Sequence, residues 1–267
     1  MTMTVQTVRV GNVVLGEGRP KVIVPITGAT ADEILAAAST AISHEIDILE
    51  WRIDFFEGAL DSGAVTSLAG QLAARLNGRP VLATFRTADE GGEKRIGVQD
   101  YVDLNLALIA SGQVNAVDVE FFRGSDAVHT IIAAAHAQEM AVIASNHDFD
   151  ATPPVGEIVS RLRAMQDMGA DVAKLACTPH DVGDLLTLLS ATWQMSVRYA
   201  DHPIITMSMG RLGMLSRMTG AFFGSAATFG MVGRASAPGQ IPVEDLNRIL
   251  KLIGEWAPTG CCFRGCC

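Results

Sequence analysis

Residues 115–121 (NAVDVEF), 140–146 (MAVIASN) and 171–177 (DVAKLAC) are three short apolar runs rich in β-branched residues. Between them, 126–138 and 156–168 carry helical spacing of apolar residues, with Asp126 near one start and Gly169 after one end. Strand, helix, strand, helix, strand is the pattern of parallel βαβ units. It continues in both directions. Further strand candidates lie at 21–26, 47–53, 80–86, 203–208 and 222–228, and further helix candidates at 31–43, 63–77, 99–111, 181–199, 211–218 and 243–255. Asp32 and Asp181 are early-turn or capping candidates, and Gly78 and Gly112 close helices. Eight strands alternating with eight helices predict an α/β fold of the (β/α)8 TIM-barrel type, a single domain over residues 1–257. The other doubly wound option, an open sheet, is disfavoured by the turn Pro25-Ile-Thr-Gly-Ala-Thr-Ala-Asp32, which is no glycine-rich dinucleotide fingerprint. Alternation on either side of Gly11-Asn12 in residues 5–16 reads as a β-hairpin that plugs the N-terminal mouth of the barrel.

The composition supports a large core and narrows the function. The 267 residues are 49% hydrophobic and 18% charged, with a net charge of −9. That acidity argues against general nucleic-acid binding through a basic surface. No apolar run approaches the ~18 residues of a membrane span, and Met-Thr-Met-Thr-Val-Gln lacks the basic and apolar regions of a secretory signal. A cytoplasmic location is the expectation. Cys177 is the single cysteine of the body, so no internal disulfide framework is expected. The other four cysteines crowd into Gly260-Cys-Cys-Phe-Arg-Gly-Cys-Cys267. Two Cys pairs so close together are too cramped for a usual zinc module, and they resemble a dye-labelling tetracysteine tag. Residues 258–267 are read as an appendage.

Barrel chemistry gathers at the C-terminal ends of the strands. Those ends carry Glu50, Arg52 and Asp54; Arg86 and then Glu90; Asp118 and Glu120; His147 and Asp148; Lys174; Met207 and Met209; and Ser225. Two-residue spacing puts Glu50, Arg52 and Asp54 on one side of their strand, and Asp118 with Glu120 on one side of theirs. Lys174 stands out, because a lysine inside an apolar run is expensive to bury and, once desolvated, is a candidate amine nucleophile. Lys21, Lys94 and Lys251 occupy ordinary solvated contexts. Each position also has a plainer reading. Lys174 reads as a side chain snorkelling from a strand end, Glu50–Arg52 and Glu120–Arg86 as structural ion pairs, and His147 as a satisfied loop histidine. Taken together, an inward lysine, a histidine one strand earlier, an acid and several arginines suit a lysine-imine enzyme acting on a small anion.

These residues sit in longer motifs: Glu50-Trp-Arg-Ile-Asp54, Thr84-Phe-Arg86 with Glu90-Gly-Gly-Glu93, Ser145-Asn-His-Asp-Phe149, Ile204-Ile-Thr-Met-Ser-Met209, Ser216-Arg217, Phe223-Gly-Ser-Ala-Ala-Thr-Phe-Gly230 and Ala235-Ser-Ala-Pro-Gly-Gln240. With Lys174, and over residues 5–255, they resemble the type I 3-dehydroquinate dehydratases of the shikimate pathway. The resemblance implies a barrel with an N-terminal hairpin, no metal or organic cofactor, and a homodimer. It implies a hydro-lyase that converts 3-dehydroquinate to 3-dehydroshikimate on the way to chorismate and the aromatic amino acids. Lys174 then corresponds to the Schiff-base lysine, His147 to the general acid/base, and Glu90 to the acid that positions it. Substrate carboxylate and hydroxyl contacts fall on Glu50, Arg52, Arg86, Arg217, Ser236 and Gln240. Met207 and Met209 form an apolar wall beside the imine, and Phe229 packs over the substrate. One departure is Leu175-Ala-Cys-Thr-Pro179 after the lysine, where the family is commonly more apolar. The cysteine-rich tail falls outside the family pattern.

Two other functions compete. A class I aldolase shares the barrel and lysine chemistry, but no glycine-rich phosphate-binding stretch stands near strands seven and eight. A catalytically silent scaffold has no reason to retain a buried lysine.

Overall fold

The computed structural model describes residues 5–233 and 235–256; the expected appendage at 258–267 lies outside the described residues. A hairpin, β1 (Val8–Val10) and β2 (Val13–Leu15), comes first. Eight strand–helix units follow: β3 (Lys21–Ile26) with α1 (Ala31–Ala41), β4 (Ile48–Arg52) with α2 (Ser62–Leu76), β5 (Val81–Thr84) with α3 (Val98–Ser111), and β6 (Ala116–Glu120) with α4 (Ser125–His136). The second half runs β7 (Ala141–Asp148) with α5 (Val155–Asp167), β8 (Val172–Cys177) with α6 (Val182–Arg198), β9 (Ile204–Ser208) with α7 (Met214–Phe223), and β10 (Ala227–Met231) with α8 (Val243–Trp256). A two-residue strand, β11 (Ile241–Pro242), pairs with β10 just before α8.

Consecutive strands pair in parallel from β3 to β9, and β10 pairs with β3 through Ala227–Lys21. The ring closes between β9 and β10 at a bridge joining Ile204 and Ser225, where the Ala226 N–H donates to the Ile204 carbonyl at 2.8 Å. The strands are therefore a closed barrel, as the alternation predicts. Among the described residues, no helix is long and apolar enough to cross a membrane.

The core divides in two, and the period-two alternation of the strands makes the division. One set of side chains, including Leu49, Trp51, Val117, Val119, Leu175 and Cys177, faces outward into the helices. The other set faces the barrel axis. Near the N-terminal mouth, Ile23, Ile48, Leu82, Ile143, Val172 and Ile205 form one apolar cluster with Val8, Val10 and Leu15 of the hairpin. The hairpin thus caps the barrel floor, with each such side chain contributing about 1.5–3 kcal/mol by leaving water. Its turn requires Gly11, whose φ is +57° and whose missing Cβ would stand 3.2 Å from both Pro80 and Asn115.

The structure corrects two expectations. The strand candidate at 222–228 starts too early, because Phe222 and Phe223 belong to the last turn of α7. That helix stops at Gly224, with φ +105°, and the strand begins only at Ala227. Asp54 is not a strand residue beside Glu50 and Arg52. The strand ends at Arg52, and Ile53–Phe55 form a 3-10 turn that carries Asp54 into the protein.

Candidate active site

Two residues above the apolar layer, the same inward rows turn polar. β4 presents Glu50 and Arg52, the extension of β5 presents Thr84 and Arg86, β6 presents Asp118 and Glu120, β7 presents Ser145 and His147, and β8 presents Lys174. Register sets their heights. Ser145 lies opposite Lys174 and His147 opposite Ala176, so His147 is one inward step, about 6.6 Å along the strand, above the lysine. All twelve residues to which the family resemblance gives a site role line one cavity at this end of the barrel.

Lys174 is buried at the base of this cavity. Its Nζ donates to Asp118 Oδ2 at 3.0 Å and lies 3.7 Å from Glu50 Oε1, with the Phe229 ring centroid 4.6 Å away. It does not snorkel. Asp118, fully buried, accepts Lys174 on one oxygen and Arg86 Nη2 (2.6 Å) and Ser145 Oγ (2.6 Å) on the other. Burial alone would raise its pKa, but Arg86 and Lys174 outweigh burial and hold it well below the usual carboxylate range. Asp118 belongs to the strand-end acids legible in the sequence, yet no role was attached to it there. Only cross-strand register brings it to the lysine.

His147 donates its backbone N–H to Glu90 Oε2 at 2.9 Å, and its Nδ1 stands 2.9 Å from the same oxygen. Asn146 Nδ2 donates to Glu90 Oε1 at 3.3 Å. A carboxylate at Nδ1 selects the tautomer with Nδ1–H, which leaves Nε2 as the acceptor. Burial, reinforced by the positive charges of Arg86 and Lys174, pushes the imidazole well below its ordinary pKa. Glu90 is pushed up to about 7 by burial, against the opposing pull of Arg86. Glu90 thus holds the imidazole from its Nδ1 side, and burial disfavours the charged form of the ring.

The three arginines differ in what they leave free. Arg86 spends Nη1 on Glu120 (3.0 Å) and Ser145 (3.0 Å) and Nη2 on Asp118, and these acids more than reverse the lowering by burial and hold it well above its ordinary value. The Glu120–Arg86 ion pair anticipated as a plain alternative is therefore present. Arg52 pairs not with Glu50 but with Asp54, through Nε and Nη2 at 2.8 Å each. Arg217, on α7, has no acidic partner among the described residues. It is 2% exposed, touches Met207 Sδ (3.4 Å) and the Pro238 carbonyl (3.3 Å), and its Nε has no hydrogen-bond partner. Burial alone pushes it down to about 10. A buried guanidinium with no acid beside it among the described residues favours binding an anion.

Above Arg217, the loop before β11 forms one wall. Ser236 N–H donates to Gln240 Oε1 at 2.9 Å, and Gln240 Nε2 donates to Ser236 Oγ at 3.2 Å. Gly239, with φ +78°, runs against the Gly210 backbone, where a Cβ would sit 2.2 Å from a carbonyl oxygen. Met207, Met209 and Phe229 supply the apolar side. Phe149 and Gly91 also line the cavity and had no role in the sequence reading. The divergent Cys177 points away, into the outer core, and accepts from Thr152 Oγ1 at 3.4 Å.

Comparison with known proteins bears on this geometry. The family model for type I 3-dehydroquinase matches residues 22–256. A 3-dehydroquinate dehydratase from Salmonella typhimurium is 47% identical over 250 residues, covering 94% of this chain and 99% of the relative. The crystal structure of type I 3-dehydroquinate dehydratase from Clostridium difficile, with covalently modified comenic acid, superposes with a TM-score of 0.92 at 44% identity, covering 94% of this chain and 99% of that one. The 3-dehydroquinate dehydratase of Enterococcus faecalis gives 0.86 at 44% identity, covering 92% and 98%. With the family model spanning nearly the whole barrel and close relatives covered end to end, this chain belongs to the type I 3-dehydroquinase family.

Proposed function

We propose that this chain is a 3-dehydroquinate dehydratase that eliminates water through a Schiff base on Lys174. The observation that carries this reading is a buried lysine at the base of a cavity, one inward step below a neutral histidine on the adjacent strand. Lys174 Nζ bonds to the substrate ketone carbon and passes two of its three protons to the ketone oxygen, which leaves as water, giving an iminium that keeps the third. His147 Nε2 takes a proton from the neighbouring carbon, and the electron pair flows toward nitrogen as an enamine. The enamine then expels the hydroxyl one carbon further on, with His147 returning the proton so that it departs as water. Hydrolysis of the iminium releases 3-dehydroshikimate and restores the amine. The water lost on condensation is regained at hydrolysis, so the net change is one elimination.

Arg217 fits the substrate carboxylate because its guanidinium has no acidic partner among the described residues and offers a planar fork. Arg52 retains an Nη1 that Asp54 does not occupy, and Glu50, Ser236 and Gln240 face the same space for hydroxyl groups. Arg86 borders the cavity but acts chiefly by ordering Asp118 and Glu120, since both its terminal nitrogens are engaged. Glu90 acts through His147. The same reading carries a homodimer, a cytoplasmic setting, and chemistry without metal or organic cofactor. Purified protein given 3-dehydroquinate alone should develop the ultraviolet absorbance of a conjugated enone. A protein that leaves the substrate unchanged overturns the assignment.

A further inference from the structure

Buried charge around Lys174 is not evenly shared. Facing its Nζ are Glu50 from β4, Arg86 after β5, Asp118 from β6 with Glu120 one step above, and His147 from β7; β9 and β10 contribute the uncharged Met207 and Phe229. Of the two acids within 4 Å of the nitrogen, Glu50 is 3.7 Å away and shares its oxygen with the Thr84 hydroxyl. Asp118 is at 3.0 Å, is fully buried, and has its second oxygen fixed by two 2.6 Å hydrogen bonds from Arg86 and Ser145.

We infer that Asp118 is a catalytic residue: the fixed counter-ion that keeps the Lys174 imine protonated. The inference rests on the Schiff-base reading and deepens it. Once the amine nitrogen has bonded to the ketone carbon, only the protonated imine withdraws electrons strongly enough to acidify the neighbouring C–H. A buried iminium without an anion would shed its proton, because burial penalises the charged form. Asp118 prevents that without reorganising, since its position and ionised state are set in advance by Arg86 and Ser145. No proton passes to or from Asp118. The electron pair moves along the substrate carbon–nitrogen frame, and the carboxylate carries the compensating charge throughout.

The test is borohydride trapping with 3-dehydroquinate as a function of pH, read by intact mass, alongside steady-state kinetics. Borohydride reduces a protonated imine far faster than a neutral one. In Asp118→Asn, the alkaline limit of trapping should move at least about one pH unit toward acid, kcat should fall roughly 10²-fold, and KM should change little. Ser145→Ala keeps the charge but frees the aspartate, and it should shift the same limit in the same direction by less. That variant decides the matter if Asp118→Asn does not fold. A folded Asp118→Asn with the wild-type trapping profile, or a Ser145→Ala profile unchanged where the other variant is insoluble, overturns the inference. No trapping in the wild type would instead overturn the Schiff-base reading itself, so the two failures are distinguishable.

Discussion

The lower and upper halves of the barrel interior are built from the same strands by the same alternation, yet they have opposite chemistry. In the lower half, Ile48, Leu82, Val172 and Ile205 close against the hairpin in a buried apolar layer. Two residues further along, Glu50, Thr84 and Lys174 occupy the equivalent inward positions, while Met207 on β9 continues the apolar row. Burying the charged layer brings little net stability, because the desolvation of each ion offsets its pairing. The lower layer holds the ring together, and the upper layer spends that rigidity on fixing charges. Changes below should therefore alter melting and spare chemistry, and changes above should chiefly alter chemistry, with melting lowered where one member of a buried ion pair is removed.

The largest effect should come from Lys174→Ala. Turnover of 3-dehydroquinate should fall to background, because no other amine among the described residues lines the cavity, while circular dichroism and the cooperative melt are retained. Residual turnover within 10³-fold of wild type would remove Lys174 from the chemistry. His147→Ala should lower kcat by about 10²–10⁴-fold and still form the borohydride-trapped adduct with substrate. Near-normal kcat would make His147 a structural member of the Glu90 pair.

Leu82→Ala probes the lower half. Loss of a fully buried leucine should cost about 2–5 kcal/mol, read from chemical denaturation, with kcat and KM at 25 °C within about twofold. A selective fall in kcat with intact stability would dissolve the division between the halves.

Much of this division is legible in the sequence. Alternating runs such as NAVDVEF and DVAKLAC mark which residues face inward, and the strand-end acids and bases announce a polar site. Pairing is not legible, because it depends on cross-strand register and on where a strand stops. Arg52 turns to Asp54 only because the chain bends into a 3-10 turn after β4. Asp118 meets Lys174 across the barrel although β7 separates their strands. The late start of β10 is hidden for a different reason: Phe222-Phe223 has strand-like composition, and tertiary packing with Gly224 as a stop makes it helix.

Smaller effects sharpen the upper half. Arg217→Lys should raise KM about tenfold with little change in melting, since an ammonium keeps the charge but not two parallel donors. An unchanged KM would move the carboxylate grip to Arg52. The pH profile should show two features. As pH falls through about 7, Glu90 takes up a proton, its pull on the His147 Nδ1–H weakens, and kcat/KM should decline a few-fold. His147 is held below its ordinary value, so the steep loss of the base should come only below pH 6.5. Glu90→Gln should remove the shallow step and keep the steep one. A single wild-type limb at or above pH 6.5 would contradict this order of protonation.

In the proposed mechanism the buried lysine of the upper layer is the covalent centre. The most direct measurement is borohydride reduction of the wild-type protein with 3-dehydroquinate, followed by intact mass and peptide mapping. One stable adduct per chain is expected, on the peptide containing Lys174. A protein that turns over without a trappable adduct, or an adduct on Lys21, Lys94 or Lys251, would contradict it.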